Sequence, residues 1–245
     1  MNDKSRDVLA LDFDGVLWNS IRECYEVAVE AWNDLDQPAF RTSYERFCQG
    51  RWLVRAGRDF GTLMRLLEDR PELNIQEFTA EEFATLGAQQ GEWLERFGER
   101  FGSLRRAYRL EREAYWRSLQ EPFAHVIEAL PILRKRFQDV VVCTTKDAPS
   151  SRALLEQVQL DLPVYGLEVG TDKSKHMQLL IDKYHIEPQQ VHFIDDLVIN
   201  LQAAAKAGIR GYLATWGYNT PACRRRAVEL GFTPLDKDEL IHLGE

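Results

Sequence analysis

Few of the residues that staple or anchor a chain occur in this sequence. Its 245 residues include four cysteines, Cys24, Cys48, Cys143 and Cys223, and no two of them stand as C-x-x-C. None has zinc-type spacing to His125, His176, His185, His192 or His242, so neither a disulfide framework nor a structural zinc site is expected. Long apolar runs are missing as well. The aliphatic run Val140–Val142 falls far short of the roughly 20 residues that span a bilayer. Met1–Asp7 is polar with no apolar segment behind it, so no secretory leader is expected and the cytoplasm is the expected location. No G-x-G-x-x-G follows a strand-like run, which argues against a dinucleotide-dependent dehydrogenase. Positive charge is in deficit: Lys plus Arg is 31 against 39 for Asp plus Glu, a net charge of −8. Phosphate backbones need a positive surface, so no nucleic-acid partner is expected, and no membrane partner either. A local basic pocket for a small anion remains compatible with that balance.

What is present is an ordinary globular composition, 44% hydrophobic and 29% charged, in a chain long enough for one large domain or a domain carrying an insertion. Five short apolar runs read as buried strands: Val8–Asp12, Val140–Thr144, Pro163–Gly166, Val191–Asp195 and Gly211–Ala214. Continuous rather than alternating apolar runs suit a parallel sheet covered on both faces. Helical patterns lie between the later runs, over Phe123–Phe137, Ser151–Val158, Ser174–His185 and Leu197–Ala207. The expected fold is therefore α/β, a doubly wound parallel sheet. Val16 to about Gln120 carries no strand-like run. Ser20 with Glu23, and Thr79 with Glu82, have the spacing of capping boxes. Behind Thr79, apolar steps of three or four predict one helix of about forty residues, on the order of 60 Å long. Gly98 and Gly102 are its expected breaks. The expectation is an all-helical insertion after the first strand.

Four constellations carry chemistry. Asp12 and Asp14 flank Phe13 at the end of the first strand, where side chains at i and i+2 share a face. The carboxyl ends of strands are where doubly wound sheets bind ligands; the plainer alternative is an Asp pair that ends a strand and caps a turn. Asp195 and Asp196 end another strand. Adjacent carboxylates repel and favour a cation, with oxygen ligands suiting Mg²⁺, or one of them caps the helix that follows. Thr144, at a third strand end, offers a hydroxyl and nearby N–H groups to a phosphate oxygen, or reflects β-propensity alone. Lys173 or Lys175 could neutralise an anionic centre, or both are solvated at a helix start.

Taken in order, Asp-x-Asp, Thr, Lys and Asp-Asp resemble the motifs of the haloacid dehalogenase superfamily in its phosphatase branch, in a general way its phosphoglycolate-phosphatase-like and β-phosphoglucomutase-like members. The resemblance covers residues 7–18 and about 120–220 by motif, and the insertion by position. It implies a Rossmann-like catalytic core over 1–17 and 121–245, with a helical cap over 18–120. It implies that Asp12 is the nucleophile of an aspartyl-phosphate, that Asp14 is the general acid and base, that Thr144 holds a phosphoryl oxygen and that Lys173 neutralises charge. Mg²⁺ would be held by Asp12, the Asp14 carbonyl and Asp195 or Asp196.

Several positions depart from the family pattern: Asp195-Asp196 stands where relatives often have Gly-Asp, and the third motif lacks a Lys-Pro pair. Thr145, followed by Lys146, stands where many relatives have Asn, and Asn200 stands where they have a further Asp. Thr145, Lys175, Arg51 and Arg55 are the substrate-binding candidates. Dehalogenating relatives lack an acid at the position of Asp14, so phosphoryl chemistry is favoured. The expected function is Mg²⁺-dependent hydrolysis of a small phosphorylated metabolite, with the insertion acting as a lid. The alternatives are a phosphomutase or phosphotransferase using the same intermediate, or a catalytically silent binding protein.

Overall fold

The apolar run Val8–Leu11 is wholly buried and forms β1, the middle of a six-stranded sheet. Short β2 (Trp18–Asn19) and β3 (Glu121–Pro122) pair antiparallel with each other, apart from that sheet. The remaining strands are β4 (Asp139–Cys143), β5 (Val164–Tyr165), β6 (Val191–Asp195), β7 (Arg210–Ala214) and β8 (Thr233–Leu235). The sheet order is β5-β4-β1-β6-β7-β8 with every pairing parallel. Counted within the sheet, that is the 3-2-1-4-5-6 order of the Rossmann fold. These features come from a computed structural model, which describes residues 6–35 and 37–245.

Two compact units make up the chain, one running to Asn19 and resuming at Glu121–Glu245, the other Ser20–Gln120. Among the described residues, six α-helices form the second unit: α1 (Ile21–Asn33), α2 (Tyr44–Gly50), α3 (Asp59–Asp69), α4 (Ala80–Gln89), α5 (Gly91–Glu111) and α6 (Glu113–Ser118). The long helix expected behind Thr79 is three helices. The break is at Gly91, whose φ of +51° suits a residue without Cβ, and again at Arg112, which caps α5 with φ −132°. Gly98 and Gly102 stay helical. A Cβ at Gly98 would lie 2.7 Å from Cβ of Arg58, so that glycine serves close packing rather than a bend.

The Thr79–Glu82 capping box forms in both directions. The one expected at Ser20 does not: Ser20 has φ −108°, ψ 10°, outside the extended region a capping side chain needs, and makes no capping bond. Glu23 turns instead to Arg105 of α5. Its two oxygens accept from Nε and from the terminal nitrogen of that guanidinium, each at 2.7 Å. A bidentate, charge-assisted pair outcompetes a neutral cap. It ties α1 to α5, where Tyr108 also donates to Glu30 at 2.6 Å.

In the sheet unit the helices are α7 (Ala124–Arg136), α8 (Ala148–Gln157), α9 (Lys173–Tyr184), α10 (Val198–Ala205) and α11 (Pro221–Glu229). Asp147, Asp172 and Thr220 cap α8, α9 and α11 through side-chain oxygens. On one sheet face Val8, Ala10, Val141 and Phe193 pack with Met177 and Leu201 from α9 and α10. No helix among the described residues is long and apolar enough to cross a membrane.

Glu23 is fully buried and Arg105 nearly so. Arg105→Met should therefore cost the helical unit about 3 kcal/mol in urea unfolding, since it leaves a buried carboxylate without its guanidinium. Adding Glu23→Leu should recover most of that. A loss below about 1 kcal/mol would put the pair on a par with a surface ion pair.

Candidate active site

Three neighbouring strands end in polar groups at the same edge of the sheet. Asp12 follows β1 and its N–H still bonds to the Ile194 carbonyl of β6 at 2.9 Å. Thr144 follows β4 and its N–H reaches Tyr165 O at 3.0 Å. Asp195 is the last residue of β6. These bonds extend the ladders past the last strand residues and fix where the side chains start.

Lys173, the first residue of α9, places its ammonium among them. Its Nζ lies 2.8 Å from Asp12 Oδ1, 2.6 Å from the Cys143 carbonyl oxygen and 3.5 Å from Asp195 Oδ2. The lysine is completely buried. Burial opposes its charge, yet Asp12 and Asp195 together hold it above the ordinary lysine value. Burial and the Asp12 charge push the Asp195 carboxyl well above the usual carboxylate range, with Lys173 pulling the other way. The Cys143 thiol is pushed up to about 12 by burial, which makes it an inert core group.

Asp12, Asp195 and Asp196 each offer a carboxylate oxygen, and these oxygens lie within 4.8 Å of one another. All three residues are buried. Hard, anionic oxygens converging in that space fit a small divalent cation. Helix capping does not account for the pair at the end of β6, because the residue at the N-cap of α10 is Leu197. Asp195 instead accepts the Leu197 N–H at 2.9 Å and Asn200 Nδ2 at 3.2 Å on both oxygens. Asp196 Oδ2 accepts the Tyr218 N–H at 2.8 Å.

Gly15 lets the chain turn beside that carboxylate. Its φ is +90°, and a Cβ there would lie 2.2 Å from Asp196 Oδ2. The segment after β7 closes over the same turn. Trp216 Nε1 donates to Val16 O at 3.1 Å, the Tyr218 hydroxyl to Asn19 Oδ1 at 3.0 Å, and Asn219 Nδ2 to Asp196 O at 3.3 Å.

Of the residues expected from sequence, the structure gathers Asp12, Lys173, Asp195 and Asp196 into one cluster. Asp14 is half-buried two residues beyond Asp12, with its Oδ1 3.2 Å from Lys146 Nζ. Thr144 is buried and its Oγ1 accepts the Lys146 N–H at 3.1 Å; Thr145 beside it is half-buried. Lys175 is exposed on α9, while Lys173 points into the carboxylates. Arg51 and Arg55 belong to the helical unit. Arg51 is buried there, donating to the Val54 carbonyl at 2.6 Å and lying over the Phe60 ring. Arg55 is exposed, and its N–H bonds Asp59. Two contributors were not singled out as site residues from sequence, Lys146 and the Trp216–Asn219 segment. A lysine two residues after the strand-ending threonine was visible, but its burial was not.

The family model for hydrolases described as haloacid dehalogenase-like matches residues 6–208. No curated protein sequence matches the chain. Among solved structures, one described as a predicted phosphoglycolate phosphatase from Haemophilus somnus 129PT has a TM-score of 0.64 at 18% identity, covering 99% of this chain and 100% of its own. A predicted phosphatase from Clostridium acetobutylicum has a TM-score of 0.65 at 15% identity, covering 96% of each. A haloacid dehalogenase-like family protein from Streptococcus pneumoniae has a TM-score of 0.60 at 15% identity, covering 98% of each. At these identities the likeness shows the fold.

Replacing Lys173 by Met should destabilise the metal-free protein by about 3 kcal/mol, because buried carboxylates lose their shared cation. Saturating Mg²⁺ should return part of that loss. Urea unfolding unchanged by the substitution would mean that the carboxylates do not need the lysine.

Proposed function

This chain belongs to the haloacid dehalogenase-like hydrolase family, and on that premise we propose that it is a Mg²⁺-dependent phosphatase that hydrolyses a small phosphate monoester through an aspartyl-phosphate on Asp12. The observation that carries the reading is the pairing of Asp12 with a fully buried lysine at 2.8 Å, inside a cluster of three carboxylates. Folding alone gives no reason to bury so many like charges at one sheet edge.

Asp12 attacks the phosphorus through a carboxylate oxygen, and the bond from phosphorus to the ester oxygen breaks. Asp14 gives its proton to the departing alkoxide, so the alcohol leaves neutral. A water then attacks the phosphorus of the acyl phosphate, passing its proton to Asp14. Phosphate leaves, and the Asp12 carboxylate is regenerated. Each half is a displacement by a positioned nucleophile, the usual advantage of covalent catalysis. Asp12 and a phosphoryl group are both anionic, so their approach needs nearby cations. Lys173 supplies one, next to the attacking oxygen. Asp12, the Asp14 carbonyl and Asp196 would hold Mg²⁺, which when bound neutralises charge on the phosphoryl oxygens. Asp195, with both oxygens engaged by Leu197, Asn200 and Lys173, anchors that arrangement. Thr144 and Thr145 would hold phosphoryl oxygens through their hydroxyl and backbone N–H groups.

Two of the compared structures are described as a predicted phosphoglycolate phosphatase and a predicted phosphatase, which supports a small phosphorylated substrate for this chain.

Phosphate release from a panel of small phosphate esters, with Mg²⁺ and with chelator, tests the reading. Wild type should release phosphate only with Mg²⁺. Asp12→Asn should keep its unfolding midpoint and lose turnover by at least about 1,000-fold, as expected when a nucleophile is removed. Release that persists in chelator or in Asp12→Asn would contradict the mechanism. Turnover of a phosphorylated sugar into an isomer without free phosphate would assign a mutase instead.

A further inference from the structure

We infer that Lys146 is a positioning residue for Asp14, holding the acid–base carboxylate by one oxygen so that each of the two paired aspartates has a buried lysine of its own. The inference rests on the aspartyl-phosphate reading above, in which Lys146 has no part.

The side chain of Lys146 has no exposed surface, and its Nζ lies 3.2 Å from Asp14 Oδ1. Its ammonium also sits 5.8 Å from the centre of the Phe13 ring. Burying an ammonium costs several kcal/mol unless an anion meets it, and an apolar residue of similar length would fill the space at no such cost. The lysine therefore contributes its charge as well as its packing.

Its root is held as firmly as its tip. The Lys146 N–H bonds Thr144 Oγ1 at 3.1 Å, and its carbonyl accepts the Leu167 N–H at 3.0 Å. Gly166 passes so near that a Cβ there would lie 2.8 Å from that carbonyl. A fixed loop after β4 thus sets the position of a carboxylate on the turn after β1. Lys173 cannot take this role, since its ammonium is already between Asp12, the Cys143 carbonyl and Asp195.

Repulsion supplies the need once Asp14 has given up its proton. The ionised Asp14 lies two residues from Asp12, in a unit that also buries Asp195 and Asp196, and like charges so placed drive one another apart. Lys146 opposes that displacement. With Oδ1 on the lysine, the carboxyl group is held in one orientation for passing its proton to the ester oxygen and taking one from water. Misplacement of an acid–base group by as little as 1 Å costs on the order of 100-fold in rate.

A double-mutant cycle on phosphate release tests this, with Lys146→Met, Asp14→Asn and both together, alongside unfolding midpoints. Lys146→Met should lower kcat by about 10- to 100-fold and change KM by less than about threefold, the signature of an interaction that counts in the transition state. In the Asp14→Asn background, which keeps measurable turnover because acid–base catalysis is worth about 100- to 10,000-fold, the same change should cost less than about twofold. Lys146→Gln, which keeps an N–H donor without charge, carries the same cycle if the methionine variant does not fold. Additive losses, a rise in KM or an unchanged kcat would overturn the inference, placing Lys146 on the phosphate or in the packing alone. Turnover that survives Asp12→Asn would instead overturn the phosphatase reading, and this inference with it.

Discussion

Everything at this sheet edge depends on the ammonium of Lys173. It sits where β1, β4 and β6 end, and each strand end presents it with an oxygen: the Asp12 carboxylate, the Cys143 carbonyl and the Asp195 carboxylate. Without a buried cation the carboxylates of Asp12, Asp195 and Asp196 could not share so small a space in ionised form. Nor could the lysine stay charged out of water without them. The cluster is a mutual condition: a set of like charges made tolerable by one opposite charge, with room for a second positive centre among the oxygens.

Several features that look local follow from this. Gly15 is required because the turn after Asp14 runs against the Asp196 carboxylate. The Tyr218 N–H and the Asn219 amide hold Asp196 from the far side. Asn200 and the Leu197 N–H hold Asp195. Lys146 answers Asp14 as Lys173 answers Asp12. The doubly wound topology brings these pieces together, because parallel strands bring all their carboxyl ends, and the loops after them, to one edge.

Much of this was legible in the sequence. Uninterrupted apolar runs marked β1, β4, β5, β6 and β7 to within a residue or so at each end, since a strand buried on both faces must be apolar throughout. The strand β8 escaped notice because Thr233–Leu235 is three residues long and contains Pro234. Period and spacing found α7 to α10, but not α11, whose arginines leave only Ala227 buried. In the helical unit, the pattern behind Thr79 continued in phase across Gly91 and concealed the break there. The spacing of Ser20 and Glu23 was that of a capping box, yet a partner 82 residues away took the glutamate. Site residues at strand ends could be named from motif and order. Lys146 could not, because a lysine after a strand reads as solvated until the neighbouring loop is seen to bury it. Choosing Lys173 over Lys175 likewise needed the fold, which turns the first residue of α9 inward and leaves the third exposed.

The central claim is that Asp12 carries the phosphoryl group between ester and water. Rapid acid quenching of the enzyme during turnover of a simple aryl phosphate, followed by peptide mass analysis, addresses it directly. The account predicts that the peptide containing Asp12 gains one phosphoryl group, that the label disappears as substrate is exhausted, and that base releases it, as an acyl phosphate requires. Phosphate released into solution with no phosphorylated peptide at any quench time, or with the group on another residue, would contradict it.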